Sequence, residues 1–473
     1  MILAALLTVP AAAGGLALLA PQIAARRAIL VAAAFAHLSL VAALWLRPVA
    51  LDSRAWIGVD SLGLLVLSLL SLTFAAVACY AIGYLPRQRP RAGRAFVGCL
   101  LLLLGAGTLV CVSQHLALVW VGLEAVTLSV APLVYHPDDR RSLEAVWKYL
   151  VLSSVGIALA LLGTFFLATA QRAGTPLLFG DLLEGARILH PGWLQAAFVF
   201  LLLGYGLKIG LAPLHTWKPD TYGEAPAMVG ALMAADVTAC AFLALARVTA
   251  VGMRAGIGPF MQPLLIGFGL VSLAVAATFM LGQRDLRRLL AYSSVEHMGL
   301  LVLGLGTGGT GAYAAVYHLL NNGLAKSFAF LTVSTIVLAT GSSQLDVNRA
   351  LLRRLPFSGG LLLASLLALS GSPPFGTFVS VFILVSALWA GSYAWAALPV
   401  CGFMAVSFVP FAARLLEAIY GEAADAERCP ENGWLTWTPM ILAVALAVIG
   451  LTLPAPLDNR LADAATMLGG RRP

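Results

Sequence analysis

Long apolar runs separated by short polar segments make up most of this 473-residue chain. A helix needs about 20 apolar residues to cross the hydrocarbon core of a bilayer. By this measure we predict membrane spans at 2–20, 28–46, 60–85, 95–112, 115–135, 147–170, 193–217, 224–246, 260–282, 288–306, 310–340, 358–391, 394–413 and 435–453. The pattern therefore indicates an all-α polytopic membrane protein with about fourteen transmembrane helices.

Two of these spans are too long for one straight helix. The seventh contains Pro213 and the twelfth contains Pro373 and Pro374, and proline breaks a helix because it lacks a backbone donor. The two broken spans are five helices apart and so run in opposite directions, which is typical of inverted repeats. We predict helices 1–4 within residues 1–112, a first repeat (helices 4–8) at 95–250, a second (helices 9–13) at 258–420, and a last helix and tail at 435–473.

The composition supports lipid as the solvent of this chain. Hydrophobic residues make up 60% and charged residues 11%, against about 25% charged in a soluble domain. The net charge of +8 does not indicate nucleic-acid binding, because the basic residues lie in short loops between apolar runs. The six cysteines show no CxxC spacing. We therefore predict no disulfide framework, no metal site, no iron–sulfur cluster and no bound cofactor.

The distribution of lysine and arginine predicts the orientation. Loops after odd-numbered spans hold 18 of the 29 basic residues and the opposite loops hold 9. The positive-inside rule then predicts a multi-pass protein of the bacterial inner membrane with both termini in the periplasm. Two cations remain inside spans, and ionisable groups at this depth are costly and usually functional. The candidates obtained in this way are Lys208, Lys326, Glu124, Asp236, Glu296, His215, His297 and His318.

Glu124 and Lys208 are the first candidates for proton transfer. Burial and a nearby cation shift the pKa of a carboxyl group in opposite directions, so such a group can exchange a proton near neutral pH. A buried lysine can likewise change between its charged and neutral forms. Pro213 follows Lys208 and frees backbone carbonyls which, with His215, could hold water inside the membrane. The alternatives are a structural ion pair or a helix–helix hydrogen bond for Glu124, and a snorkelling side chain for Lys208.

His318, Asn322 and Lys326 occupy positions i, i+4 and i+8 of one span, hence one helix face. Such a stripe favours a hydrogen-bonded relay, and chance placement of isolated polar residues is the alternative. Glu296 and His297 are adjacent and are expected to point to different faces, where one of them could simply bond a neighbouring helix. Asp236 is isolated in sequence and is expected to pair with Lys208 or Arg247.

At these residues the chain resembles the proton-translocating, antiporter-like membrane subunits of respiratory complex I, cation/proton antiporter complexes and membrane-bound hydrogenases. The resemblance is carried, in order along residues 115–390, by "LEAVTL", "LKIGLAPLHTWKPDTYGEAP", "LLAYSSVEHMG", "HLLNNGLAKS" and "SGSPPFGTF". It implies fourteen helices, two inverted five-helix repeats and breaks in helices seven and twelve. It also implies that Glu124 and Lys208 form a coupled pair, and that His318 and Lys326 belong to a relay between two half-channels.

Within this family, the glutamate of "SSVEHMG" and the short C-terminus favour the hydrogenase branch, of the hydrogenase-4 component F type. Three positions depart from the family pattern. Ala239 stands where lysine is frequent, Asn322 stands in place of a second relay histidine, and Val381 stands where a terminal lysine or glutamate is usual. The loss at Val381 removes the usual exit group, so either another group serves as the exit or the subunit conducts protons poorly.

Three functional hypotheses remain. The first is a non-catalytic, proton-translocating subunit of a complex I-like or hydrogenase-type oxidoreductase, whose partners are other membrane-arm subunits and a soluble redox module. The second is a subunit of a secondary cation/proton antiporter or of an inorganic-carbon uptake complex. The third is a scaffold that has kept the fold and lost its proton path. Each predicts contact with lipid and none with nucleic acid.

Overall fold

The computed structural model describes residues 1–47, 55–87, 93–136, 138–172, 174–422 and 427–473. Within these ranges the chain is almost entirely α-helical and forms isolated β-bridges but no strands. Arg54, Arg89 and Arg91, which contribute to the count of basic residues in loops, lie outside the described ranges. The prediction of an all-α membrane protein is confirmed.

The helices that enter the membrane follow the predicted order. They are α1 (Ile2–Leu19), α2 (Ile23–Leu46), α3 (Ser61–Tyr84), α4 (Gly93–Val112), α5 (Leu116–Val134), α6 (Arg140–Ala170), α7a (Pro191–Ile209), α7b (Trp217–Glu224), α8 (Ala227–Arg254), α9 (Gly258–Met280), α10 (Leu286–Thr307), α11 (Thr310–Thr340), α12a (Pro356–Leu369), α12b (Gly376–Ala390), α13 (Ala394–Tyr420) and α14 (Gly433–Leu451). Two short helices, Phe179–Glu184 and Leu351–Arg354, and a C-terminal helix α15 (Ala455–Met467) complete the set.

Both predicted breaks are present. Thirteen helices in the described part of the chain are long and apolar enough to cross a membrane. The twelfth crossing is completed by α12a and α12b, with 14 and 15 residues, which are separated by residues 370–375. In the seventh crossing, residues 210–216 separate α7a from α7b. A π-helical turn, Met233–Val237, interrupts α8 and carries Asp236.

Several helices extend beyond the predicted spans. The sixth begins at Arg140 rather than 147, the eighth reaches Arg254 rather than 246, and the thirteenth ends at Tyr420 rather than 413. Hydropathy detects only the apolar section of a helix, whereas the helix continues into water while its backbone bonds are satisfied. At the start of α6, Asp139 accepts a hydrogen bond from the Ser142 backbone N–H at 2.7 Å and so caps the helix.

The bundle has a protein-enclosed centre and a lipid-facing periphery. The most apolar part of α8 is 100% buried and that of α10 is 94% buried, whereas that of α1 is only 28% buried. The polar side chains of α8, α10 and α11 therefore face other helices rather than acyl chains. This is the environment in which ionisable groups are tolerated inside a membrane.

Candidate functional site

Glu124 on α5 and Lys208 near the end of α7a lie together. The Lys208 Nζ is 3.8 Å from the Glu124 Oε2 and also donates a hydrogen bond to the Thr127 Oγ1. Lys208 is buried, whereas the Glu124 side chain is 26% exposed on the outer surface of the bundle. The two charges thus attract each other without a direct hydrogen bond, and the Glu124 Oε2 is buried with no hydrogen-bond partner among the described residues.

The break in the seventh crossing holds a second buried lysine. Lys218 on α7b is fully buried, and its Nζ donates to the Ile209 carbonyl, the last residue of α7a, at 2.8 Å. Gly210 has φ 82°, and a Cβ there would lie 2.7 Å from the Lys218 Cδ, so only glycine leaves room for this side chain. The assignment of Lys218 to a cytoplasmic loop was wrong, because α7b returns the chain to the bundle after the break.

Lys326 on α11 is the third buried lysine. Its Nζ donates to the Ser293 Oγ at 2.6 Å and to the Leu290 carbonyl at 3.3 Å. We call Lys208, Lys218 and Lys326 the lysine series. Apart from the Glu124 contact, each of its bonds goes to a neutral oxygen.

His297 on α10 and His318 on α11 form the histidine pair. Their rings stack with centroids 5.1 Å apart, and the His297 Nδ1 lies 2.9 Å from the His318 Nε2. The His297 Nε2 lies 3.1 Å from the Leu369 carbonyl, which can only accept, so this nitrogen carries a proton. In the neutral pair the His318 Nε2–H therefore donates to the His297 Nδ1, which leaves the His318 Nδ1 as an acceptor.

Ser380 on α12b completes the histidine pair. Its Oγ lies 2.8 Å from the His318 Nδ1 and 2.9 Å from the Thr377 carbonyl. When His318 is neutral, the Ser380 hydroxyl donates to the His318 Nδ1. When His318 is protonated, its Nδ1–H donates to the Ser380 Oγ and the hydroxyl turns to the Thr377 carbonyl. Both protonation states of His318 are thus hydrogen-bonded without movement of the backbone.

Glu296 extends from α10 towards α13, where its Oε1 accepts a hydrogen bond from the Ser407 hydroxyl. Glu296 and His297 point away from each other, as predicted, yet both border one cleft. The outer cleft, as we name it, lies between α10, the break in the twelfth crossing and α13, and is lined by Glu296, His297, Leu369, Ser370, Met404 and Ser407 together with Leu300, Phe408 and Phe411.

Two predicted site residues lie apart from these contacts. Asn322 is buried one helical turn from both His318 and Lys326, but it bonds neither of them and its amide oxygen has no partner among the described residues. The relay therefore does not run along the α11 face through direct bonds. His215 lies in the seventh-crossing break with its ring 6.3 Å from that of Tyr292 and 6.4 Å from that of Phe279.

The expected pairing of Asp236 with Lys208 or Arg247 was wrong. Asp236 Oδ1 accepts a hydrogen bond from the Thr73 hydroxyl on α3 at 2.6 Å. Arg247, assigned from the sequence to a loop, is buried on α8 and binds Asp60 Oδ2 through Nε and Nη2 at 3.1 and 2.8 Å. Asp60 was not predicted as a buried charge, because it lies at the predicted start of the third span, where acidic residues commonly cap helices.

Neither a metal ion nor a charged exit group on α12b is indicated by the residues described. No three His, Cys, Asp or Glu side chains outside the gaps come together in a way that could hold a metal ion. Val381 packs against an apolar cluster formed by α9, α10, α11, α12b and α13, and Ala239 is fully buried on α8. The usual charged positions of the family are therefore apolar in this chain.

Comparisons with known proteins agree with this fold. The family model described as NADH:quinone oxidoreductase/Mrp antiporter, transmembrane, matches residues 113–406. The hydrogenase-4 component F homologue of Methylacidiphilum infernorum is 35% identical over 303 residues, which is 62% of this chain and 62% of that protein. NADH-quinone oxidoreductase subunit N 2 of Sorangium cellulosum is 30% identical over 402 residues, 82% of this chain and 79% of that one.

A solved structure of respiratory complex I from Thermus thermophilus contains a chain of the same fold. It superposes with a TM-score of 0.80 at 26% identity and covers 98% of this chain and 100% of that chain. The family match, the order of the helices and the two breaks agree with one another. This chain belongs to the membrane-subunit family of NADH:quinone oxidoreductases and Mrp antiporters.

Proposed function

We propose that this chain is a proton-translocating membrane subunit of a complex I-like or hydrogenase-type redox complex. The observation that carries the proposal is the set of ionisable groups inside the bundle, which comprises the Glu124–Lys208 contact, Lys218, Lys326 and the histidine pair. Such groups are expensive inside a membrane and are retained where they serve ion movement.

The partners of the lysine series suit reversible loss of a proton. Lysine can release its proton when buried, whereas arginine keeps its own. Lys218 and Lys326 donate to carbonyl and hydroxyl oxygens, so either can become neutral without leaving an unpaired carboxylate beside it. Lys208 likewise donates to a neutral oxygen, the Thr127 hydroxyl, which can also accept from the neutral amine. Two protonated lysines near each other are mutually disfavoured, which eases loss of the proton from either of them.

Polar atoms between these groups supply positions for water. The Tyr222 hydroxyl near Lys218 and the Asn322 amide oxygen between Lys326 and His318 are buried and have no partner in the part of the chain described. Buried polar atoms of this kind are normally hydrogen-bonded to water. Water bound to Asn322 would bridge the roughly 12 Å of helix rise between Lys326 and His318.

The two broken crossings and the exposed face around Glu124 support the proposal that this chain is one subunit of a larger complex. We propose that helices 4–8 and 9–13 are inverted repeats, each with a broken crossing that frees backbone carbonyls at the level of the path. Glu124 is partly exposed between Val121 and Leu128, which are 46% and 59% exposed. A carboxylate facing acyl chains is costly, so we propose that another membrane-arm subunit covers this face and that a soluble redox module completes the complex.

The proposed location is the bacterial inner membrane with both termini in the periplasm. Removing the buried Lys218 and Arg247 from the count leaves the same excess of basic residues in the loops after odd-numbered helices. The charged contacts of Lys148 with Glu144 and Asp220, and of Arg288 with Glu224, would then lie at the cytoplasmic surface.

Proton flux through the reconstituted complex tests the proposal. The chain would be purified with its native partners through an affinity tag and placed in liposomes that contain a pH-sensitive dye. A potassium diffusion potential would then drive proton entry. Lys208→Met should reduce the flux by at least about 100-fold, because it removes a group that transfers the proton. Lys148→Met, at a side chain 44% exposed, is the matched control and should conduct normally.

Two results would contradict the proposal. Normal flux in Lys208→Met would exclude the buried series as the path. Flux that depends on sodium or bicarbonate, measured by replacing sodium with choline or by omitting bicarbonate, would instead favour the antiporter or inorganic-carbon alternative.

A further inference from the structure

The buried path lacks the charged group with which α12b would end it, because Val381 occupies that position and packs against apolar side chains. The only other carboxylate described near the histidine pair is that of the adjacent Glu296 on α10. In the proposed inverted repeats, α10 of the second repeat corresponds to α5 of the first. Glu296 and Glu124 therefore lie on corresponding helices. The chain thus has an acid on the corresponding helix of each half.

The surroundings of Glu296 stabilise it both with and without a proton. The Ser407 hydroxyl lies in contact with the Glu296 Oε1 and 3.0 Å from the Met404 carbonyl. When Glu296 is ionised, the Ser407 hydroxyl donates to the carboxylate. When Glu296 is protonated, it can donate to the Ser407 Oγ while the Ser407 hydroxyl turns to the Met404 carbonyl. This is the same exchange of acceptors that Ser380 makes beside His318.

The outer cleft has a volume of about 20 Å³, room for about one water molecule, and both Glu296 and His297 line it. His297 and Leu369, whose carbonyl His297 bonds, form one wall of the cleft. Phe408, on the opposite wall, is 47% exposed, and Glu296 itself retains 8% exposure. A proton that arrives at the histidine pair therefore has a titratable acceptor, Glu296, in the same cleft.

We propose that Glu296 is the terminal proton carrier of this subunit and replaces the charged group that is absent at Val381. This role rests on the proposed proton translocation. A proton leaves a ring nitrogen of the protonated histidine pair and passes through water in the outer cleft to the Glu296 carboxylate, so one N–H bond breaks, one O–H bond forms and the histidine pair returns to its neutral state. The Ser407 hydroxyl then turns to the Met404 carbonyl. Loss of the proton from Glu296 to water at the mouth of the outer cleft breaks the O–H bond and regenerates the carboxylate, and the Ser407 hydroxyl returns to it.

Variants of Glu296 in the reconstituted native complex test this role by the same dye assay. Glu296→Gln keeps the hydrogen bond to Ser407 and the shape of the side chain but cannot titrate, so proton flux should fall at least about tenfold. Glu296→Asp should retain most of the flux, because it still titrates. Glu144→Gln, at a surface carboxylate with 65% exposure, is the control and should conduct like the wild type.

A second-site variant separates proton transfer from packing. Val381→Glu returns a titratable group to the position at which the family usually has one, and in the Glu296→Gln background it should restore flux to within about threefold of the wild type. A structural defect at Glu296 would not be repaired by a carboxylate on another helix. A double variant that stays inactive would overturn the claim that Glu296 replaces the α12b group.

The outcomes also separate this inference from the proposed function. If Lys208→Met stops the flux while Glu296→Gln conducts normally, the subunit moves protons and Glu296 is not its exit. Equal loss in Glu296→Gln and Glu296→Asp would assign Glu296 to packing and overturn the inference. If Lys208→Met itself conducts normally, the proposed function fails before the exit is considered.

Discussion

Arg247 and the lysine series are all buried cations inside the same helix bundle, yet their surroundings differ. Arg247 binds Asp60 through two nitrogens and donates to the backbone carbonyls of Ser113 and Cys111 at 2.7 and 3.3 Å. Asp60 in turn accepts a bond from the Gly63 N–H and so caps α3. Each lysine of the series, in contrast, bonds one or two neutral oxygens.

This difference separates a structural charge from one that can move a proton. Arginine keeps its proton, and both oxygens of the Asp60 carboxylate already accept hydrogen bonds. The Arg247–Asp60 pair therefore has one stable state and joins α3, α4 and α8. The oxygens bonded by the lysine series can accept a hydrogen bond from either the charged or the neutral amine. The number and charge of the partners, rather than burial alone, distinguishes the two regions.

The largest effect is expected from breaking the structural pair. Arg247→Met leaves Asp60 buried without its cation, and removal of one partner from a buried ion pair costs about 3–5 kcal/mol of folding free energy. The melting temperature of the purified complex should fall clearly. Proton flux per folded molecule should stay near that of the wild type.

Arg254→Met is the matched control for Arg247→Met, because Arg254 ends the same helix and is exposed. It should leave the melting temperature unchanged. If Arg247→Met kept its stability but lost proton flux, the pair would belong to the proton path and the contrast between the two regions would be lost.

The opposite result is expected for Lys218. Lys218→Met should lower proton flux about 100-fold, equivalent to about 2.7 kcal/mol in the barrier, because it removes one of the three amines proposed to carry the proton. Stability should be unchanged or higher, since a buried cation without an acid partner is replaced by an apolar side chain. Dye-based flux and the melting temperature of the same preparation measure the two effects.

Ala239→Lys sharpens the test of Lys218. It places an amine on α8, where the family frequently has one, and should restore part of the flux in the Lys218→Met background. Lys148→Met is again the control. Normal flux in Lys218→Met would show that protons bypass the break in the seventh crossing, and the lysine series would no longer be one path.

The sequence predicted the charges that interrupt apolar runs and missed those near span ends. Lys208 and Lys326 stand well inside hydrophobic segments, so the positive-inside count singled them out. Lys218 follows Pro213, and Arg247 comes one residue after the predicted end at 246, so both were counted as loop residues. Whether a chain re-enters the bundle after a break depends on tertiary packing, which hydropathy does not contain.

Partners were harder to predict than positions. The contact of Glu124 with Lys208 followed from the resemblance, but the bonds of Lys326 to Ser293 and of Glu296 to Ser407 each join two different helices. Serine is common in membrane helices, so no local signal marks these two. Helix periodicity placed His318, Asn322 and Lys326 on one face correctly, yet it could not show that His297 of another helix would be the bonded neighbour of His318.

Asp236 provides the smallest expected effect and a sharper form of the comparison. Asp236 is buried and accepts a hydrogen bond from a single donor, Thr73. In its small number of partners it is similar to the lysine series and differs from Asp60. However, its Oδ1 points to α3, and no ion pair joins it to a lysine or arginine in the described ranges. If a group must also adjoin the series to carry protons, Asp236 should not take part.

Asp236→Asn decides between these two criteria. The side-chain carbonyl oxygen of this variant can still accept the Thr73 hydrogen bond, so we expect a stability change below about 1 kcal/mol and proton flux within about twofold of the wild type. Glu296→Gln, the same acid-to-amide change at a carboxylate that borders the outer cleft, is the comparison in one assay. Suppose instead that Asp236→Asn lost as much flux as Glu296→Gln. A small number of hydrogen-bond partners would then be enough to identify a proton carrier, and the proton path would have to extend from α8 to α3.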